Sequence, residues 1–326
     1  MKTVQNKTDS IDGKEPQGLS DLSINHPSAW DIDQFRANWY AFLESLLEEE
    51  ASSLIPSRRM RCQIEQTPVF QEVVSGWDTM KSSLRLDAWK RLLLAAEESC
   101  RTILPACVQC GECCRMGSPT LHLEDIPLLQ SGKIPWDQLI TLRKGEPARS
   151  PFDGKPFILT EDKIKVREKE GLRECVFLTS QTADEAAVCS IYNDRPLQCR
   201  AQACWDPIPA RETADMPFLL RENIFAGVDL LLKIMGEHES RCGFEALSSA
   251  FEEINRSNGE NVNEVLELLS YEDHFRQFVS ERFNIPSESM DLLLGRSFAQ
   301  MTTLFGFRVS CEPDGTRCLV SDDQKE

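Results

Sequence analysis

Apolar residues recur at helical spacing in two parts of the chain, which flank a middle part of different character. Residues 31–54 and 86–104 each place their apolar side chains on one stripe, and this pattern predicts two amphipathic helices. From 216 to 305 the same spacing predicts a further series of helices. Residues 1–30 are rich in polar side chains and are expected to form a disordered tail.

From 107 to 205 the helical spacing gives way to turns, prolines and short apolar runs. Residues 157–160 and 164–167 are separated by three charged residues, so they predict a β-hairpin. Residues 175–178 and 187–192 predict a second pair of strands, each carrying one cysteine. The expected fold class is therefore α+β, with mainly helical flanks around a small cysteine-rich segment that contains short antiparallel strands.

Charge and composition limit the cellular compartments and the binding partners that can be expected for this chain. A net charge of −17 repels phosphate, so neither nucleic acid nor a membrane surface is an expected partner, whereas a protein partner or substrate stays open. No secretion signal or bilayer-spanning apolar run is visible, and a cytoplasmic location is expected. In that reducing compartment, thirteen cysteines indicate metal or redox chemistry rather than a disulfide framework.

The densest chemistry is a run of eight residues that holds four cysteines. Cys107, Cys110 and Cys113 repeat the C-x-x-C spacing twice, which lets the backbone turn and direct the sulfur atoms at one centre. Gly111 stands where a tight turn would need a positive φ. Cys114 follows Cys113 directly, and because neighbouring side chains diverge, one of the two is expected to face a second centre or the core. The run predicts a chelating loop.

Four more cysteines complete a set of eight, which is enough for two four-coordinate centres. The candidate metal ligands are Cys107, Cys110, Cys113, Cys114, Cys175, Cys189, Cys199 and Cys204. Thiolates bind zinc or iron, including iron in a 4Fe–4S cluster, and the spacing does not decide between these metals. Arg115, Arg195 and Arg200 lie beside cysteines, where they would either offset thiolate charge or form ordinary surface ion pairs.

The order of these motifs resembles the YkgJ-type cysteine-cluster family, whose members are described as zinc- or iron-chelating. The resemblance rests on C-x-x-C-x-x-C-C, then Cys-Val-Phe-Leu at 175–178, then Cys-Ser-Ile-Tyr at 189–192, followed by Arg195-Pro196 and Cys199-Arg200. It covers about residues 107–204 and implies that the eight cysteines form the metal site. The same cluster resembles that of flagellin lysine N-methylases, where it is associated with an iron–sulfur centre.

Three functions follow as hypotheses. The first is a metal-binding protein whose cysteine cluster chelates zinc or iron. The second is a lysine N-methylase-like enzyme that uses an iron–sulfur cluster, although the chain has no Gly-x-Gly loop for an adenosyl cofactor and no radical-type C-x-x-x-C-x-x-C motif. The third is an interaction or assembly factor that zinc stabilises. No catalytic residue can be identified from the sequence.

The remaining thiols and histidines carry less information. Cys100 lies on the apolar stripe of its predicted helix, and Cys62 and Cys242 have no partner at ligand spacing. His122 is a candidate substitute ligand, but its apolar neighbours favour a structural role. Cys311 and Cys318 flank a predicted hairpin turn, where facing thiols would bind metal, oxidise or serve structure.

Together these patterns divide the chain into five parts. They are a disordered N-terminal tail (1–30), a helical N-terminal part (31–106), a cysteine-cluster metal-binding domain (107–205), a helical C-terminal part (206–310), and a hairpin with a tail (311–326).

Overall fold

The computed structural model describes residues 26–49, 57–150, 154–179, 188–257, 259, 261–311 and 317–321. The chain divides into two compact units, Met1–Cys110 and Gly111–Glu326, and the boundary falls inside the cysteine-rich run. Most of the predicted tail, residues 1–25, lies outside the described residues. Its last part is ordered, because a 3-10 turn at Pro27–Ala29 leads into Trp30, which is buried.

The first unit is helical, as the apolar stripes predicted. Its helices are α1 (Ile32–Glu49), α2 (Ser57–Glu65), α3 (Pro68–Gly76) and α4 (Ser82–Cys100). The predicted helices correspond to α1 and α4, and α4 begins and ends four residues earlier than the spacing indicated. Their stripes meet in an aromatic core around Trp39, Trp77 and Trp89. The Trp77 indole N–H donates to the Trp30 carbonyl at 3.1 Å, so this buried polar group is satisfied.

The apolar pattern does not predict α2 or α3. The buried face of α2 combines Arg59 and Gln63 with Met60 and Ile64, so polar residues interrupt its stripe. The start of α3 is marked by Thr67, whose hydroxyl accepts a hydrogen bond from the Phe70 amide, and by the proline that follows it.

The second unit contains, in its described part, four two-stranded antiparallel sheets. The pairs are β1 (Leu139–Leu142) with β4 (Lys163–Val166), β2 (Pro147–Arg149) with β3 (Pro156–Ile158), β5 (Leu178–Thr179) with β6 (Val188–Cys189), and β7 (Phe307–Cys311) with β8 (Arg317–Ser321). With the helices, these short sheets confirm the α+β class.

The predicted hairpin between 157–160 and 164–167 is wrong. β3 and β4 lie along one arm of a longer hairpin and pair with β2 and β1 on the other arm. The charged run between them is no turn, because Asp162 accepts a hydrogen bond from the Lys144 amide at 3.0 Å and forms an ion pair with Arg221. Alternating side chains identify a strand but leave its partner open. The second predicted strand pair is confirmed, with two residues in each strand.

Ten helices surround these sheets in the described part of the second unit. They are α5 (Glu112–Arg115), α6 (Ile126–Gln130), α7 (Leu197–Ala201), α8 (Ile208–Ala214), α9 (Arg221–Ile224), α10 (Asp229–Cys242), α11 (Phe244–Arg256), α12 (Val262–Phe283), α13 (Met290–Leu294) and α14 (Phe298–Met301). The helical series after 216 is thus confirmed. Among the described residues, no helix is both long and apolar enough to cross a bilayer.

The C-terminal hairpin of β7 and β8 forms as predicted, although its turn at 312–316 lies outside the described residues. Its register places Cys318 opposite Ser310 and Cys311 opposite Arg317. The two cysteines are therefore not direct cross-strand neighbours, contrary to the suggestion that their thiols face each other.

Buried charges hold the helices of the second unit in place. The fully buried Arg143 guanidinium donates to the Cys242 carbonyl at 2.7 Å and forms an ion pair with Glu146. Arg276 forms ion pairs with Glu272 and Asp291. Each of these buried charges is paired, which limits the cost of removing it from water. Gly295, which separates α13 from α14, has a φ of +78° and packs directly on the Arg143 side chain.

Replacing Gly295 by alanine should destabilise the protein because the new Cβ would lie 2.7 Å from Arg143 Cδ at a positive φ. We expect the free energy of unfolding to fall by roughly 3 kcal/mol, combining backbone strain with displacement of a buried side chain. Urea titration followed by circular dichroism measures the change.

Gly306→Ala is a control for Gly295→Ala, because Gly306 also has a positive φ, +81°, and apart from its chain neighbours no heavy atom lies within 4 Å of the position that a Cβ would occupy there. It should lose only about 1 kcal/mol, the cost of the backbone conformation. Equal losses in the two variants would contradict the proposed steric role of Arg143.

Candidate metal centre

The adjacent cysteines Cys113 and Cys114 lie on α5, which begins directly after the left-handed residue Gly111 at φ +79°. Their Sγ atoms are 3.9 Å apart, so the expectation that these side chains diverge is wrong. Cys114 also packs against the core, as one of the two was expected to do. The hydrogen bond between the two thiols raises the pKa of Cys113.

Cys175 is joined to this pair through the backbone. Its amide N–H donates to the Cys114 carbonyl at 2.8 Å, and it forms an isolated bridge with Glu168 just beyond β4. The segment after α5 is bonded to β4 as well, because the Leu121 amide donates to the Ile164 carbonyl at 2.8 Å. β4 therefore holds the segment that follows α5, and the residues just beyond β4 hold the segment that carries Cys175. Burial raises the pKa of the Cys175 thiol.

Cys189 and Cys199 approach from two further segments. Cys189 ends β6 and pairs with Leu178, three residues after Cys175. Cys199 lies on α7. Burial raises its pKa, and the nearby thiols of Cys175, Cys113 and Cys189 raise it further. The second unit therefore gathers Cys113, Cys114, Cys175, Cys189 and Cys199, which we call the thiol cluster.

Asp125 fixes the position of α7 and hence of Cys199. Its carboxylate is fully buried, and it accepts hydrogen bonds from the His122 amide at 2.9 Å and from the Leu197 amide, in the first turn of α7, at 2.8 Å. The Gln198 side-chain oxygen accepts from the Thr120 amide at 2.5 Å. Sequence reasoning missed Asp125, because a turn with an aspartate is too common to mark a site.

The arginines beside the cysteines differ in their surroundings. Arg195 lies close enough to Cys199 for its charge to lower the pKa of that thiol against the larger effect of burial, and its Nε donates to the Tyr192 carbonyl at 2.8 Å. Arg115 forms an ion pair with Glu174 at 3.3 Å. Arg200 is exposed. Of the three, Arg195 has the position to offset thiolate charge.

Three predicted ligands remain, and no contact described here joins them to the thiol cluster. Cys107 and Cys110 belong to the first unit, and Cys204 is exposed in a turn closed by a bridge between Ala203 and Asp206. Within the described residues, no three histidine, cysteine, aspartate or glutamate side chains converge closely enough to hold a metal ion. The cysteines of the thiol cluster therefore lie in one region, but their side chains do not converge on one metal-binding position.

His122 is buried and stacks on Phe218 with ring centroids 4.6 Å apart. Burial lowers the pKa of its imidazole. This environment is that of a core histidine, as its apolar neighbours indicated.

Sequence reasoning also missed Cys62, which was set aside because no partner stands at ligand spacing. The structure places this thiol on α2, where the charge of Cys110 acts on it. No sequence pattern marks this thiol, because the residues that share its helical face, Arg59 and Gln66, are polar.

Comparison with known proteins supports a metal-binding role. Residues 106–217, a third of the chain, match the family model CxxCxxCC, described as a "putative zinc- or iron-chelating domain". All eight predicted ligand cysteines lie within this segment. No curated protein and no solved structure matches the chain, so the relation to flagellin lysine N-methylases stays a prediction.

Replacing Asp125 by alanine should leave the His122 and Leu197 amides without their acceptor. We expect a loss of about 2–6 kcal/mol in the free energy of unfolding, because each of the two N–H groups left unpaired costs about 1–3 kcal/mol. Urea titration measures this loss.

Asp194→Ala is the control for Asp125→Ala, because Asp194 forms a half-exposed ion pair with Lys133 at 3.2 Å. Its loss should stay below about 1 kcal/mol. If both variants were equally stable, Asp125 would not be the anchor of α7.

Proposed function

We propose that this protein binds zinc or iron through the thiol cluster of its second unit, and that the matched domain serves this purpose. The observation that carries the proposal is the environment of Cys199, where the thiols of Cys175, Cys113 and Cys189, each from a different segment, lie near enough for their charges to raise its pKa. Four cysteine thiolates are a common ligand set of a structural zinc or an iron–sulfur centre.

The spacing of Cys113 and Cys114 supports metal binding rather than a disulfide. Their sulfur atoms are 3.9 Å apart, whereas a disulfide requires about 2.05 Å. Tetrahedral zinc with Zn–S distances of about 2.3 Å holds its sulfur ligands roughly 3.8 Å apart, which matches the observed separation. Iron in a sulfide cluster uses the same thiolate donors, so the donor set fits either metal.

The surroundings of the thiol cluster suit a metal centre whose net charge is negative. Four thiolates around a divalent cation carry a net charge of −2, and nearby cations would reduce its cost. Arg195 beside Cys199 and Lys165 beside Cys175 act in this direction, since each lowers the pKa of its neighbouring thiol against the effect of burial. Asp125 and the backbone bond from Cys175 to Cys114 would hold the donors in place.

Protein purified without exposure to air should contain at least one zinc or iron atom per chain, measured by elemental analysis. Cys199→Ser should weaken metal binding by at least about 10-fold, because losing a ligand should cost no less than losing a group that orients one. Chelator competition measures the affinity, and an absorption spectrum distinguishes colourless zinc from a coloured iron–sulfur centre.

Cys318→Ser provides the control for Cys199→Ser, because Cys318 is half-buried on β8 and outside the matched domain. It should bind metal as the unaltered protein does. A chain that carries neither zinc nor iron under these conditions would refute the proposed function.

Metal binding should release protons and strengthen as the pH rises. The pKa values of Cys113, Cys175 and Cys199 are raised, so these thiols are protonated near neutral pH and must lose their protons to bind. The affinity should therefore fall at acidic pH. A pH indicator in weak buffer should record more than one proton released per zinc ion, whereas release of none would contradict thiolate ligation.

A further inference from the structure

One face of α2 is fastened to the segment that leads into the cysteine-rich run. The Arg59 guanidinium donates to the carbonyls of Leu104 at 2.6 Å and Ala106 at 3.1 Å. Gln66, just beyond the end of α2, donates to the Val108 carbonyl at 2.8 Å. Cys62 lies three residues after Arg59 and four before Gln66, so it shares the face that these two side chains define.

A second set of contacts, made from the same helix, fixes the start of this segment. The Gln63 side chain donates to the carbonyls of Ser99 at 3.2 Å and Thr102 at 2.7 Å, and it accepts from the Leu104 amide at 3.2 Å. Both Arg59 and Gln63 are buried. The backbone from 99 to 108 therefore runs along α2 in a defined register, and Cys62 faces its last part.

The backbone around Cys110 turns sharply. Gln109 has a φ of +54° and Gly111 a φ of +79°, so a left-handed residue stands on each side of the thiol. Only glycine adopts this conformation readily, and a glutamine persists in it where the surroundings impose it. Val108, directly before this turn, is buried and is held to Gln66 by its carbonyl.

The result is a pair of thiols in one unit. Burial raises the pKa of Cys62 to about 11, and the Cys110 thiol, which lies near enough for its charge to act, raises it further, followed by Glu65. Glu65 itself accepts hydrogen bonds from the Trp39 indole and the Arg61 guanidinium, both at 3.1 Å, so its carboxylate is already held. Thiols are thus the donors that this region offers a soft metal ion.

We propose that Cys62 is a metal ligand, which α2 contributes from outside the matched domain to a zinc or iron ion that also binds Cys110. This inference rests on the proposed metal binding and extends it, because it assigns Cys110 to a centre in the first unit, separate from the thiol cluster. Cys107 is the next thiol of the run in that unit and the first candidate for a third ligand.

The test compares Cys62→Ser with Cys100→Ser in the full chain. Both cysteines are half-buried on helices of the first unit, but Cys100 packs against the aromatic core. With cobalt(II) as the probe, Cys62→Ser should lose part of the thiolate-to-cobalt absorption and at least about 10-fold in affinity for one equivalent of metal. Cys100→Ser should keep both. Cys62→His, which restores a ligand, should recover part of the affinity.

A measurement on the unaltered protein does not depend on how the variants fold. Alkylation followed by mass spectrometry should show Cys62 protected while zinc is bound and reactive after a chelator removes it, with a much smaller change at Cys100. Equal reactivity of Cys62 in both states would overturn the proposal, as would a Cys62–Cys110 disulfide in protein prepared without air.

The outcomes also separate this proposal from the proposed function. If the full chain binds no metal, both fail. If it binds metal and Cys199→Ser weakens that binding while Cys62→Ser does not, the thiol cluster stands and the role of Cys62 is refuted.

Discussion

Thiolates repel one another unless a cation lies between them. The matched domain nevertheless brings several thiols close together. Hydrogen bonds position the segments that carry these thiols. β4 binds the segment after the cysteine-rich run, the residues just beyond β4 bind the segment that carries Cys175, and Asp125 fixes the helix of Cys199. Since each raised thiol pKa favours the neutral form, these groups can lie near one another as thiols and still be available to a metal as thiolates.

The sequence predicted the parts that depend on local spacing. Cysteine positions, the stripes of α1 and α4, and the strand pair that carries Cys189 could all be recognised from neighbouring residues. The pairing of β3 and β4 could not, because the partner of a strand depends on residues far away in the chain. The end of α13 at Gly295 could not be predicted for a similar reason. This glycine packs against Arg143, which is distant from it in the chain.

The polar residues on the inner face of α2 explain why neither this helix nor a role for Cys62 was predicted from the sequence. α2 has a buried arginine and a buried glutamine, so its inner face resembles a solvent-facing one until the carbonyls that it binds are known. Cys62 was overlooked for the same reason, because neither an apolar stripe nor a second cysteine at ligand spacing marks its position in the sequence. Motif spacing finds ligands that are neighbours in the chain, and it would not find a ligand such as the one proposed at Cys62, which a helix would contribute from outside the motif.

Cys175 belongs to the hydrophobic core of the second unit as well as to the thiol cluster. Oxidation of its sulfur to a sulfenic or sulfinic acid would place a polar group in the apolar core that also contains Leu121, Ile164 and Val166, where few polar partners could satisfy it. Oxidative damage at the cluster would therefore loosen the core. The resistance of this unit to proteolysis would therefore depend on the oxidation state of one sulfur atom.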